Sequence, residues 1–559
     1  MLSQKFQRKD AETQTFGKKF ESWQSGISSD RTFVYEFLLK ISLRLYVFAL
    51  ILASISCSSK LTDPRTLIPS DALIYLETKD LGKTLDAITE RSVFQQLAKG
   101  RPDLSALSGI RLSVAVTGFE VSEQKITDET SVGEISPHFV AVAETNAWNW
   151  QALSFTENKL GEFIKESYGG EAELETYPKN DGKYFVWTSQ DGRKTYALVQ
   201  GSIIFFGNDE SAIEKCLAVK RGEAESIVKN SRIALFSADS LASGYVSTDG
   251  IAQVANLVGI QFAMRASEES EVKSFIARVL PEILRNSVKE ISWTADKTKE
   301  GIEDRFIVAT NPEIGQVFNE TLVPAGNSEV NPANYLPKEF VSATRYNLRD
   351  PQVAWRSVLL TAQKQTDEVS GKLIAALSSS LFEPYGVDDA ELFLSAVGPH
   401  VITVKFDTEG EEVAVIVVPR DYEKIKKSLV REINFSDPPD ILNGDSFIWR
   451  SGDGDLAMGT TNGVAIFGDG ESVLKCLQSG QNVNGLSARL SESGVVSVTI
   501  GKDVESAGQV VEVLAAKKKG YEAIPSNYLT ETRFNKSGFE RRTISDFGII
   551  GSMIGLFGK

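Results

Sequence analysis

Hydrophobic positions along this chain fall into short dense runs, and the runs recur at about half the chain's length, the signature of an internal repeat. The clearest run is Ile203-Ile204-Phe205-Phe206-Gly207-Asn208-Asp209-Glu210-Ser211, continuing to Lys215-Cys216-Leu217. Its partner is Val464-Ala465-Ile466-Phe467-Gly468-Asp469-Gly470-Glu471-Ser472, continuing to Lys475-Cys476-Leu477. A compact apolar run bounded by turn residues predicts a buried strand. An Asp or Ser at the start of a helix accepts its first free N–H groups, so Asp209 or Ser211, and Asp469 or Ser472, are expected as caps. Upstream of each copy stand Trp187 with Asp191-Gly192, and Trp449 with Asp453-Gly454. Asp-Gly between strand-like runs predicts a tight hairpin, because glycine tolerates positive φ. Gln200-Gly201 and Asn462-Gly463 supply the next turn, so each copy reads as a three-stranded meander leading into a helix.

The openings match as well. Ile68-Pro69-Ser70-Asp71 leads into a strand over 73–78, and Asp80-Leu81 then opens a helix. Leu336-Pro337-Lys338-Glu339 leads into a strand over 341–346, and Asp350-Pro351 opens the next helix, with Pro where no N–H is needed. Middle strands pair as 109–116 with 398–404 and as 139–143 with 413–417. Each second strand is followed by a helix, at 148–155 and 422–429. Residues 301–305 align with 538–542 at the ends. The pattern predicts an α+β fold: two tandem repeats of a mainly antiparallel sheet with helices packed on one face. Module 1 spans 67–323, a Pro/Gly/Asn/Ser-rich linker covers 324–333, and module 2 spans 334–559. Residues 120–136 are expected to form a loop inserted in module 1.

Ahead of the modules, residues 45–56 form a short apolar run behind Lys40 and Arg44. It falls short of the about 20 residues that a spanning helix needs and fits the core of a secretory signal. The run closes on Ala53-Ser54-Ile55-Ser56-Cys57, which resembles a bacterial lipobox with Ser54 where leucine is usual. The expected organisation is a leader over 1–56, lipidation at Cys57 and a tether over 57–66. Translation from near 33–39 would give a signal of ordinary length. Lipidation at Cys57 implies anchoring to a bacterial membrane, and Ser58-Ser59 after the cysteine imply the outer membrane facing the periplasm in a Gram-negative cell.

Composition narrows the partners. The net charge of −15 repels phosphate backbones and anionic head groups, so no nucleic-acid partner is expected and lipid rather than charge provides membrane attachment. Three cysteines make no disulfide framework. Cys216 and Cys476 fall on apolar helix faces and read as buried thiols. Pro137-His138 and Pro399-His400 tempt as a paired site, but His138 opens the second middle strand of its module and His400 the first of its own. Asp453 and Asp455 lack the ligand ladder of a calcium loop, and 468–470 carries acids that repel phosphate. Neither Gly-x-Ser-x-Gly, His-Glu-x-x-His nor Cys-x-x-Cys occurs. No catalytic, cofactor or metal residue is therefore assigned. Of Trp148 and Trp150, at most one is expected in the core. The apolar tail 547–557 is expected to dock as a terminal helix.

Ile68-Pro69-Ser70-Asp71, a strand, and Asp80-Leu81 opening a helix resemble an uncharacterised family of bacterial envelope lipoproteins with a duplicated domain of unknown function. Module 2 departs from the pattern with Glu339 in place of the aspartate. The resemblance covers most of 67–545 and brings no catalytic residues. The expected function is a lipid-anchored cell-envelope protein acting as a non-enzymatic structural or interaction module, its partner an envelope protein or a small molecule. The alternatives are a periplasmic small-molecule binding protein with its ligand between the modules, and a hydrolase whose active site carries no recognised motif.

Overall fold

The computed structural model describes residues 62–555 except 126–130, 169, 266–270, 327–328, 444, 480–489, 491–493, 504–505 and 516–523. Cys57 and the predicted leader lie outside the described residues. The chain forms two compact units. Of the described residues, the amino-terminal unit holds those within 62–309, 506–526 and 544–555, and the carboxy-terminal unit those within 310–503 and 527–543. Neither is continuous in sequence, as a single linker at 324–333 would make it.

In the amino-terminal unit an antiparallel sheet is built from β1 (Ile74–Thr78), β2 (Arg111–Lys125), β3 (Ser131–Glu144), β4 (Ala172–Lys179), β5 (Gly182–Ser189), β6 (Lys194–Gln200), β7 (Ile203–Gly207), β8 (Ala242–Val246), β9 (Val288–Lys297) and β10 (Ile302–Thr310). Paired registers give the order β9–β8–β1–β2–β3–β7–β6–β5–β4. The meander therefore has four strands rather than three. The first hairpin, β4–β5, turns at Asn180 and Asp181, both in the left-handed region with φ of 49° and 56°.

The sheet is covered on both faces, which corrects the expectation of helices on one. On one face Leu112, Val114, Val116, Phe139, Ala141, Ile204 and Phe206 pack with Leu81, Leu85 and Ile88 of the helix Leu81–Thr89, and with Val510, Phe547, Ile550 and Ile554. On the other, Ala115, Val140, Val142, Ile203 and Phe205 pack with Ile213, Cys216 and Leu217 of the helix Glu210–Arg221. The signal lay in Ile203-Ile204-Phe205-Phe206: a strand apolar at successive positions, not at alternate ones, has no face left for water. Residues 120–125 and 131–136 also depart from expectation. They extend the β2–β3 hairpin, Glu120 pairing with Ser136 and Lys125 with Ser131, so the predicted loop is largely paired strand.

The carboxy-terminal unit contains β11 (Ser342–Asn347), β12 (Val397–Lys405), β13 (Val413–Pro419), β14 (Asp440–Asn443), β15 (Ser446–Arg450), β16 (Leu456–Thr461), β17 (Val464–Asp469) and β18 (Ser497–Asp503), with most of β19 (Ser526–Asn535) and β20 (Gly538–Ser545). Its registers are also antiparallel and run β18–β11–β12–β13–β17–β16–β15–β14. Ile402, Val404, Ala414, Ile416 and Ile466 pack with Val473 and Cys476 of the helix Gly470–Gln478. Val415, Val417, Ala465 and Phe467 face the other way, toward Phe393 and Ile425.

Candidate functional site

An open concave surface of the amino-terminal unit lies between the helix Asn149–Phe155 and the tip of the β4–β5 hairpin. It is a groove of about 730 Å³ lined by Asn149, Leu153, Tyr177, Lys179, Asn180 and Asp181, among others. The two walls have separate causes. The helix is anchored by Ala152 and Phe155, both buried in the core, while Asn149 is exposed and Leu153, partly buried against that core, also lines the groove. The hairpin tip is held by the Asn180-Asp181 turn and by Gly182, where a Cβ would collide with the Val199 carbonyl oxygen.

Charge in the groove is compensated in place. Lys179 Nζ reaches Glu210 at 2.6 Å and Glu214 at 3.0 Å, and Lys183 Nζ reaches Glu157 at 3.0 Å. Both ammonium groups also sit over aromatic rings, Lys179 over Tyr184 at 4.7 Å and Lys183 over Phe185 at 4.9 Å. Tyr177 packs against Tyr184 at 5.4 Å between centroids and remains 39 % exposed. Trp148 and Trp150 flank Asn149 in sequence and are 52 % and 68 % exposed, so neither enters the core. β4 pairs with β5 on one side and, among the described residues, with no strand on the other. Sequence reasoning picked out the tryptophans and missed the groove, because β4 was not recognised. Its signal was the Asn180-Asp181 pair between Thr176-Tyr177 and Tyr184-Phe185.

No protein-family model matches the chain, and no curated protein and no solved structure matches it either.

The remaining sequence candidates stay apart. His138 lies on β3, its Nδ1 3.1 Å from Asp209 and its Nε2 3.5 Å from Glu120. His400 lies on β12, opposite Asn347. It is buried, and its Nδ1 lacks a hydrogen-bond partner. Burial, reinforced by the nearby Arg345 charge, holds its imidazole down to about 4. Cys216 and Cys476 are fully buried. Burial pushes both thiols up, that of Cys476 to about 12, so neither carries thiolate at neutral pH. Asp453 is a turn residue that accepts the Ser451 hydroxyl and the Asp455 N–H, and Asp191 does the same with Ser189 and the Arg193 N–H. Asp209 and Asp469 are the helix caps, taking the N–H groups of Ser211 and Ser472. Among the described residues, no cluster of three His, Cys, Asp or Glu side chains could hold a metal ion, and no helix is long and apolar enough to cross a membrane. The apolar tail forms the helix Gly548–Gly555, and Phe547, Ile550 and Ile554 are buried in the amino-terminal unit.

Proposed function

We propose that this protein is a bacterial envelope lipoprotein, anchored through Cys57, whose body is a duplicated α+β interaction module. It holds a neutral polyhydroxylated strand of the envelope, a wall glycan, in the groove beside Trp148 and Trp150. The observation that carries the reading is a groove whose cations are already neutralised, with two exposed indoles next in sequence to its Asn149. Aromatic faces with an apolar body and a polar edge suit surfaces that are half wet. Asn149, Asn180 and Asp181 offer donors and acceptors to hydroxyl groups. Phosphate finds no uncompensated lysine there, since Lys179 and Lys183 both pair with glutamates.

Duplication is supported by the registers. Adding ten to each strand number turns β8–β1–β2–β3–β7–β6–β5–β4 into the order of the carboxy-terminal unit. The segments after the last strands are exchanged. The helix Pro312–Thr321, which follows β10, belongs to the carboxy-terminal unit, and Gly548–Gly555, which follows β20, belongs to the amino-terminal unit.

Co-sedimentation with purified insoluble wall glycan tests the binding reading, with cellulose as a second polymer. The full-length protein should pellet with the wall glycan, and Trp150→Ala should lose most of that binding while unfolding at an unchanged urea midpoint. Equal pelleting of wild type and a Trp148→Ala/Trp150→Ala variant would sink it. Mass spectrometry of the amino-terminal peptide tests the anchor separately: acyl chains on Cys57 are expected, and an unmodified Cys57 in membrane-associated protein would overturn it.

A further inference from the structure

The helix Gly548–Gly555 is held to the amino-terminal unit by two kinds of contact. Phe547, Ile550 and Ile554 are buried in the core. At its first turn, the Ile549 N–H donates to Asp304 Oδ2 at 2.8 Å, and the Gly548 N–H donates to Ser545 Oγ at 2.9 Å. The other oxygen of Asp304 accepts the indole N–H of Trp293 at 2.9 Å. Only glycine fits at 548, where φ is +61° and a Cβ would stand 2.6 Å from Ile302 Cγ2 and 3.0 Å from Asp304 Oδ2. The helix start is therefore pressed directly onto the carboxyl group. Behind the helix lies a small apolar cavity of about 50 Å³, lined by Leu76, Leu112, Val114, Trp293, Ile550 and Met553, among others.

We propose that Gly548–Gly555 is an acid-tightened lid: Asp304 latches it most firmly when protonated, and the lid loosens from the cavity as the surroundings approach neutrality. Asp304 is 1 % exposed and, among the described residues, pairs with no cation. The neighbouring charged groups do not compensate it. Asp296 on β9 and Glu303 on β10 add negative potential. Glu303 is itself paired with Arg305 at 2.9 Å. Asp546, just before the helix, is taken by Arg91 at 3.3 Å. Glu77, on the cavity wall, has Arg65 and Lys79 within 4 Å.

Burial pushes the Asp304 carboxyl up to about 7, against the two N–H donors that favour its ionised form. The closed lid thus binds a proton that the open lid, with a carboxyl near its ordinary 3.8, gives up. The opening equilibrium rises about tenfold per pH unit between roughly 4 and 7 and is level above that.

Hydrogen exchange of the full-length protein, followed by mass spectrometry and corrected for the intrinsic pH dependence of exchange, reads the latch. Between pH 4.5 and 7.5 the amides of 549–555 should lose at least tenfold in protection, while those of Glu210–Arg221 hold theirs. In Asp304→Asn the protection of 549–555 should be independent of pH. Trp293→Phe, which removes one donor to the ionised form, should extend the pH-dependent window upward, and it carries the test should Asp304→Asn fail to fold. A pH-independent wild-type helix, or a profile unchanged in both variants, would overturn the proposal.

Discussion

Gly207 on β7 lies so close to Phe139 on β3 that a Cβ at 207 would collide with the Phe139 carbonyl oxygen, and Gly468 stands in the same relation to Val413. Both glycines end the apolar run before a capped helix. The chain must pass the neighbouring strand at backbone contact distance there, so glycine is a spatial requirement. Gly207→Ala and Gly468→Ala should each cost on the order of 1–3 kcal/mol, the usual penalty for overpacking, with Gly468→Ala the worse of the two because its φ of +133° also disfavours a side chain. Urea denaturation checks this: both variants should unfold at lower midpoints, and an unchanged midpoint would refute the collision.

Asp80 closes two separate segments at once. Its Oδ1 accepts the Lys83 N–H of the helix it caps and the Gly109 N–H of the turn before β2, both at 3.1 Å. Asp80→Ala should therefore destabilise by more than a simple cap, whose loss typically costs about 1 kcal/mol. Asp350→Ala, which removes a cap on the Val353 N–H at 3.1 Å, should cost about the simple-cap amount. A difference of zero between the two would show that the Gly109 bond contributes nothing.

His400 and Asp304 should give pH slopes of opposite sign. The His400 imidazole is held at about 4, below its ordinary 6.5, so the folded unit binds fewer protons than the unfolded chain. Its contribution is complete above about 6.5 and is lost as the pH falls through 4. Protection of β12 against hydrogen exchange should weaken with acid over that window. His400→Gln should remove the weakening, and persistence of the slope in that variant would assign it elsewhere.

Cys216 and Cys476 should both resist a thiol reagent at pH 8 in the folded protein and react fully in urea, as peptide mapping would show. Labelling of either in native protein, at a rate near that of a free thiol, would mean that its helix opens readily.

Much of this architecture was legible in the chain, and the exceptions have physical reasons. Ile203-Ile204-Phe205-Phe206 and its counterpart announced buried strands, and Asp80, Asp209, Asp350 and Asp469 announced helix starts, because these signals are local. The second helical layer was visible only as missing alternation. β4 was missed because its own residues are almost all exposed, so no hydrophobic pattern marks it; the strand exists because β5 offers it a paired edge. The groove inherits that blindness. The bond from Ile549 to Asp304 joins residues 245 positions apart, and no local pattern encodes it.

The exchange of segments between the units sets an order on biosynthesis. Most of the amino-terminal unit leaves the ribosome first, yet Val510, Phe547, Ile550 and Ile554 of its core are made last. A chain arrested before residue 544 has the sheet and the helix Leu81–Thr89 but lacks Phe547, Ile550 and Ile554 on that face of the core, which leaves apolar surface uncovered. The helix Gly548–Gly555 therefore completes, late in synthesis, a core that begins with Ile74 of β1.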